Sequence, residues 1–273
     1  MQKKFKDLLI GSDPELFLID YSGEVVPASN YIIGNKENPE QITDEGHAIQ
    51  YDNVMVEYNI PPCRTSEDWI KEHNFVLNYI KETIAEPENL NLLIVASKDI
   101  TPEIAENPIA QVFGCDPDFN AWSNDKNIVS RDYPLLRTCG GHIHLGSRDI
   151  VNEEVCKKLI QAMDLYLSIP LVLLEPDSMR KRMYGRAGAY RYKQLKNGIG
   201  IAEYRSASNF WLSSNDMMKF AFDQAQIAVD FVACRGVITN PDDIIEAINS
   251  NNGELAKEIM EDYNIVMPQL QIN

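Results

Sequence analysis

The sequence predicts an α+β fold with a mostly antiparallel sheet. Its strand-like segments are followed by isolated helical segments, without the strict strand–helix alternation that gives parallel sheets. Turn signals such as Ser22-Gly23 and Pro61-Pro62 bound the strands. The 273 residues contain no repeat, low-complexity stretch or Ser/Gly linker. We therefore predict one domain over residues 1–273, whose C-terminal part, from about 214 to 273, is helical.

The N-terminal half supplies strands and one long helix. In a strand predicted over residues 7–19, Pro14 lacks a backbone donor, which places this strand at a sheet edge or at a bulge. Residues 47–59 predict a second strand and 91–97 a third. Between these two, apolar residues recur at helical spacing and predict a helix over 66–85.

The C-terminal half is predicted to hold the remaining core strands and most of the helices. Residues 99–138 contain four prolines and have the length of a lid or a substrate loop. Residues 177–196 are basic, and we expect them to be irregular. The other predicted elements are strands at 139–146 and 198–208 and helices at 152–174, 214–234, 241–250 and 253–263.

Charge and cysteine content exclude some classes of protein. The net charge of -16 argues against a nucleic-acid-binding surface, which needs clustered Lys and Arg. An acidic chain that handles a nucleotide is expected to use metal ions between the two negative partners. Five cysteines without a CxxC pair favour a reducing cytoplasm over a disulfide framework or a zinc ribbon. Neither a signal peptide nor a membrane-spanning apolar run is predicted.

Polar residues spaced two apart occur in three of the predicted strands. Side chains at this spacing point to the same face of a strand. The pairs are Asp13 with Glu15, His142 with His144, and Glu203 with Arg205. Glu57 adds a lone carboxylate within an apolar strand, where it must be paired, metal-bound or on an open face. Four strands that deliver these groups to one sheet face would form a divalent-cation site.

Each of these groups also has a structural interpretation. Asp13 and Glu15 alone would be a surface pair, and Glu203 with Arg205 a cross-strand ion pair. The two histidines could be half-buried strand residues, and HxH pairs also bind metals in cupins and some hydrolases. The glycines around them favour a close approach of ligand or backbone. His47 and His73 lack such a context, and we expect them to be structural or surface residues.

The basic segment supplies a second kind of group. Arg186 and Arg191 flank a short glycine-containing stretch that would be a solvated turn if taken alone. Together with Arg205, they suit planar recognition of a carboxylate or a phosphate. Metal ligands beside such arginines fit the activation of a carboxylate by ATP. A P-loop is absent and no GxGxxG motif follows a strand, so P-loop and dinucleotide folds are not expected.

Four segments in this order resemble the glutamine synthetase and glutamate–cysteine ligase superfamily. The fuller resemblance is to its phage and firmicute branch, the carboxylate–amine ligase type 2 family, or amidoligases. The segments that carry it are GSDPELFL at 11–18, FGCD at 113–116, RTCGGHIHLG at 137–146 and EYRS at 203–206. The resemblance spans roughly residues 9–212.

The resemblance implies a glutamine synthetase-like catalytic domain. Its curved antiparallel sheet would hold ATP and Mg²⁺ or Mn²⁺ on the concave face and helices on the outer face. The implied metal ligands are Asp13, Glu15, Glu57, His142 and Glu203. His144, Arg205 and Arg191 would bind the nucleotide phosphates, and Arg205, Arg186 and Arg191 would act in catalysis on phosphate or the substrate carboxylate.

Two positions depart from the superfamily pattern. Asp13 stands where the wider superfamily usually has Glu, and its shorter side chain would bind through water or bind a different subset of the metals. Members also carry a second Glu just before the position of Glu57, and here Asp52 or Asn53 stands nearby. The number of metal ions is therefore left open.

The expected function is ATP-dependent formation of an amide between a carboxylate and an amine, through an acyl phosphate. Glutamate is the acid that the superfamily suggests, and peptide or protein substrates stay open, as does the oligomeric state. The expected location is the cytoplasm, of a host cell if a phage encodes the chain. The alternatives are a metal-dependent hydrolase and a catalytically degenerate nucleotide-binding scaffold.

Overall fold

The α+β class with antiparallel sheets is confirmed. The computed structural model describes residues 4–112, 119–127, 130, 132–175, 177 and 179–267, and every strand pair among them is antiparallel. The strands are β1 Leu9–Ser12, β2 Glu15–Ile19, β3 Val25–Val26, β4 Glu40–Gln41, β5 Ala48–Asp52, β6 Met55–Asn59, β7 Asn91–Leu93, β8 Ser97–Asp99, β9 Phe119–Asn120, β10 Leu136–Thr138, β11 Ile143–Ser147, β12 Ala189–Gln194 and β13 Gly200–Tyr204.

The described strands form two larger sheets and a small one. The first has the order β1-β11-β13-β12-β9, and the second has the order β3-β2-β6-β5-β4 with β7 also paired to β2. Strands β10 and β8 form the small sheet. The polar segments expected on one sheet face therefore lie on two sheets, and that expectation was wrong.

The division between the sheets occurs at Pro14. The strand expected over 7–19 is two strands, because the proline has no N–H to continue a ladder. Backbone hydrogen bonds still join the sheets at this point. Glu15 N donates to Gly140 O over 2.9 Å, and Tyr58 N donates to Pro14 O over 3.2 Å. Asp13 consequently lies where the two sheets meet.

Three other predicted elements needed correction. The strand expected over 47–59 is a hairpin of β5 and β6, whose turn contains Asn53 at a φ of 56°. The segment 177–196 is not irregular throughout, because β12 pairs with β13. The segment 91–97 divides into β7 and β8, and the FGCD motif at 113–116 lies outside the described residues.

The predicted helices are confirmed. They are α1 Ser66–Ile80, α3 Glu153–Met163 with α4 Ile169–Leu174, α5 Asn215–Ala233, α6 Pro241–Ser250 and α7 Gly253–Asp262. A short helix that was not predicted, α2 Pro102–Ala105, lies in the segment expected to be a loop. A π-helical turn extends α1 through Ala85, and another joins α3 to α4. No helix within the described ranges combines the length and apolar character that a membrane crossing needs.

The helices pack behind the strands that carry the polar residues. Helix α3 contacts β12 and β13, and α1 packs against α5. Side chains alternate along β12 and β13, so Tyr190 and Tyr204 point to the helices while Arg191 and Glu203 point the other way. The apolar layer thereby fixes the strands and leaves one face of each for the site.

Candidate active site

The first candidate cation cluster comprises Asp13, His144 and Glu203. One ligand atom from each lies within 4.8 Å of the others. His144 and Glu203 are register partners on β11 and β13, and Asp13 arrives from the junction of the two sheets. As the two-residue spacing predicted, His142 Nδ1 and His144 Nε2 both lie near Asp13 Oδ1, at 3.3 and 3.2 Å. The cluster contains His144, which the resemblance assigned to the nucleotide phosphates, and not His142, which it assigned to a metal.

Three polar atoms in and beside this cluster have no aligned hydrogen bond within the described part of the chain. Asp13 Oδ1, His142 Nδ1 and His144 Nε2 are buried, and none has an aligned hydrogen-bond partner among the described residues. Buried polar atoms without partners are costly, and a bound cation would satisfy them. One carboxylate from Asp13, one from Glu203 and an imidazole form a donor set that Mg²⁺ and Mn²⁺ accept.

In the absence of a cation, the negative charge of Asp13 is balanced by a proton on His144. Burial favours a neutral His144, but the Asp13 carboxylate outweighs it and raises the pKa of His144 to about 9. Burial, together with Arg205, lowers the pKa of His142 to about 4. Burial raises the pKa of Asp13, but His144 and His142 together outweigh this and hold it well below its usual value. A cation bound here would displace the His144 proton.

The second candidate cluster comprises Glu15, Asp52 and Glu57, again within 4.8 Å. Glu15 and Glu57 are register partners on β2 and β6. Burial and the charge of Asp52 raise the pKa of Glu15 to about 8, and burial with the neighbouring carboxylates raises the pKa of Glu57 well above its usual value. Three carboxylates this close need protons or a cation. Gln50 Nε2 donates to Glu57 Oε2 over 2.8 Å.

Asp52, a member of the second cluster, was one of two residues that the sequence left open. The hairpin places Asp52 on the same face of β5 as Gln50, whose register partner is Glu57. Asn53 instead forms the turn, and its side-chain amide donates to the carbonyls of Ala110 and Val112. The signal that could have found Asp52 is the Asp-Asn turn, which divides 47–59 into two strands.

The predicted arginines occupy three different environments. Arg205 is buried and forms an ion pair with Glu203 Oε1. Arg191 Nη1 lies 3.6 Å from the same oxygen. Arg186 is exposed, and its backbone carbonyl accepts from Ser206 Oγ. The structure thus brings Arg205 and Arg191 to the first cluster and does not bring Arg186 there.

A cavity of about 230 Å³ is lined by the whole second cluster and by Asp13 of the first. Its lining residues are Asp13, Glu15, Lys36, Pro39, Gln50, Asp52, Glu57, Asn59, His142, Arg191 and Arg205. A second cavity of about 30 Å³ shares Glu15, Asp52, His142 and Arg205 with it, and Arg137, Arg180 and Tyr184 also line that cavity. Sequence reasoning missed Lys36 and Arg180 as lining residues, because both come from segments without regular spacing.

The strand that carries Glu203 and Arg205 is fixed from behind by Asp164. This fully buried carboxylate on the π-helical turn accepts from Tyr204 OH over 2.7 Å and from Gly188 N over 2.6 Å. Burial raises the pKa of Asp164 to about 6, although its hydrogen bonds act in the opposite direction. Tyr204 lies between Glu203 and Arg205 in sequence. The contact therefore fixes the strand position at the point where both site residues leave it.

We expect the metal-free protein to lose stability as pH rises from about 6.5 to about 8. In this window the folded state keeps protons on Glu15 and His144 that the unfolded chain has released, because both pKa values are raised. Added Mg²⁺ should replace those protons, so its stabilising effect should grow with pH. Urea unfolding in a chelator and in Mg²⁺ at both pH values measures this. Rising stability of the chelated protein across the window would contradict the site description.

One protein-family model matches part of the chain. The family model described as "Phage phiEco32-like COOH.NH2 ligase-type 2" matches residues 130–264. The matched residues include His142, His144, Arg191, Glu203 and Arg205, whereas Asp13, Glu15 and Glu57 precede the match. No curated protein sequence matches the chain.

Two solved structures show a weaker likeness. A bifunctional glutathione synthetase from Pasteurella multocida aligns over 97% of this chain and 47% of its own, with 14% identity and a TM-score of 0.49. The ligase PafA, solved with the prokaryotic ubiquitin-like protein Pup, aligns over 99% of this chain and 60% of its own, with 7% identity and a TM-score of 0.36. The chain thus spans about half to three-fifths of the length of these structures.

The family match agrees with the interpretation of the motifs. It is a family of ligases that join carboxyl and amino groups, so the expectation of an enzyme that forms C–N bonds is met at the level of the family. The resemblance carried by the motifs is thereby confirmed, since residues 130–264 match the model of the type 2 carboxylate–amine ligases.

Proposed function

We propose that the protein is an ATP-dependent carboxylate–amine ligase. The observation that carries this proposal is a cavity lined by the whole second cluster, by Asp13 of the first cluster and by the buried Arg205. Its lining supplies hard ligands for cations and guanidinium groups for anions within one space. A site that holds the polyphosphate of ATP beside a substrate carboxylate needs both kinds of group.

The donor groups fit divalent cations at both clusters. The first cluster offers two carboxylates and an imidazole, and the second offers three carboxylates. Asp13, His144 and Glu203 would hold one Mg²⁺ or Mn²⁺, and Glu15, Asp52 and Glu57 another, with His142 beside Asp13. Bound there, the cations would neutralise phosphate charge during phosphoryl transfer.

In the proposed reaction, a carboxylate oxygen of the acid attacks the γ-phosphorus of ATP, and the bond from this phosphorus to the β-phosphate oxygen breaks. The products are ADP and an acyl phosphate. The nitrogen of an amine then attacks the acyl carbon, the C–O bond to phosphate breaks, and the amine loses a proton. Arg205 and Arg191 face the cavity and would hold the transferred phosphoryl group through planar hydrogen bonds.

The acid is proposed to be glutamate, which rests on the superfamily resemblance alone. The amine is proposed to be a small molecule or a group on a peptide or protein. Lys36 lines the cavity from an exposed loop and supplies a cation in addition to Arg191. A substrate with a free carboxylate beyond the reacting one would complement this charge.

The test is ADP release from ATP and Mg²⁺ with glutamate and a panel of amines. Release that requires both an acid and an amine supports the ligase. Release with acid alone indicates an acyl phosphate that awaits an untested amine, and acid hydroxamate formed with hydroxylamine would trap it. Absence of nucleotide binding would contradict the proposal and favour a metal-dependent hydrolase. Nucleotide binding without turnover across the panel would favour a degenerate scaffold.

A further inference from the structure

His73 lies in the helical layer behind the site. It lies on α1 and its side chain is fully buried. Its Nε2 lies 3.1 Å from Ser12 Oγ, and its Nδ1 lies 2.8 Å from the hydroxyl of Tyr58. The same ring therefore contacts a residue of each of the two large sheets, since Ser12 belongs to β1 and Tyr58 to β6.

The two partners of His73 are the sequence neighbours of two cluster residues. Ser12 immediately precedes Asp13, and Tyr58 immediately follows Glu57. Neighbouring side chains leave an extended backbone in opposite directions. Ser12 and Tyr58 consequently point to α1, while Asp13 and Glu57 line the cavity on the other side.

The neutral imidazole of His73 can form a hydrogen bond with each of the two hydroxyl groups. Burial lowers the pKa of His73 to about 3, so one ring nitrogen donates and the other accepts. Each hydroxyl group can serve in the complementary role, whichever tautomer is present. The ring is also enclosed by two indoles, with centroids 4.5 Å away for Trp69 and 5.0 Å away for Trp211. A ring so enclosed spans the two partners at a fixed distance.

We propose that His73 is a positioning residue that sets the spacing between the two cation clusters. By joining Ser12 to Tyr58, it fixes the orientation of Asp13 in one cluster relative to Glu57 in the other. The backbone bond from Tyr58 to Pro14 joins the same region but does not engage the side chains of Ser12 or Tyr58. The inference rests on the cation role given to both clusters under the proposed function.

The test is calorimetric titration of the full chain with Mn²⁺ alone. Partners outside the ligand shell typically change metal affinity by about 10- to 100-fold. We expect His73→Phe, which keeps an aromatic ring but removes both hydrogen bonds, to weaken Mn²⁺ binding at least about tenfold. The matched control is Val76→Ala, a cavity-forming change at another fully buried position of α1. It should lower the melting temperature without changing Mn²⁺ affinity.

Two smaller variants keep the proposal testable if His73→Phe does not fold. Ser12→Ala and Tyr58→Phe each remove one hydroxyl group. Ser12→Ala should weaken the Mn²⁺ site that Asp13→Asn also weakens, and Tyr58→Phe the site that Glu57→Gln also weakens. If Ser12→Ala and Tyr58→Phe bound Mn²⁺ as tightly as the control variant Val76→Ala does, the proposal would be overturned.

The result separates this inference from the proposed function. Mn²⁺ binding that depends on His73, in a protein that releases no ADP with any acid and amine, supports the positioning role and contradicts the ligase. A native chain that binds no Mn²⁺ overturns the positioning role directly.

Discussion

Replacement of Glu203 by glutamine should abolish ligase turnover while the fold persists. Glu203 belongs to the first cation cluster and pairs with Arg205 and Arg191, so the substitution removes the charge that both a cation and the arginines require. We expect kcat to fall by about 10³-fold, the upper end of the range for loss of one group that stabilises transition-state charge. ADP release under saturating ATP and Mg²⁺ measures the effect.

The control for this prediction is an exposed carboxylate. Glu154→Gln removes only a surface ion pair with Lys158 and should leave both kcat and stability unchanged. Glutamine at position 203 keeps an oxygen that can accept from Arg205, so we expect the loss of unfolding free energy to stay below about 3 kcal/mol. Full activity of Glu203→Gln would show that the site has been assigned to the wrong residues.

Replacement of Arg205 by lysine should have the second large effect. Arg205 is buried, lines both cavities and lies beside Glu203. Lysine keeps the charge but loses the planar set of donors that matches phosphate and carboxylate groups. Arginines that stabilise phosphoryl transfer contribute about 10³- to 10⁵-fold, so kcat should drop by about 10³-fold or more.

Arg148→Lys provides the comparison, because Arg148 is exposed just beyond β11. The Arg148→Lys variant should have the same kcat and KM as the native enzyme. If Arg205→Lys raised the KM of a substrate and left kcat unchanged, Arg205 would bind that substrate equally in the ground and transition states. That outcome would remove it from the proposed phosphoryl-transfer role.

Much of the site follows from local spacing in the sequence. The x-any-x spacing placed His142 and His144 on one face, and both contact Asp13 in the structure. The same rule placed Glu203 and Arg205 together. These inferences succeeded because side-chain direction in a strand depends only on local backbone geometry.

Other features depend on how distant segments meet. Asp52 joined the second cluster through a hairpin turn that the sequence reading treated as a continuous strand. His73 showed no spacing pattern, yet the packing of α1 brings it against Ser12 and Tyr58. Arg186, chosen for its place in a basic segment, remains on the surface.

The sequence by itself determined the α+β class, the helices and the family resemblance of this protein, because periodicity and short motifs are local properties. Only the tertiary structure decided that the candidate ligand residues are divided between two sheets and that they form two clusters near Arg205. Sheet pairing across Pro14 and the packing of α1 depend on contacts between residues far apart in the chain. Such contacts leave no fixed spacing in the sequence, and they become visible only in the folded molecule.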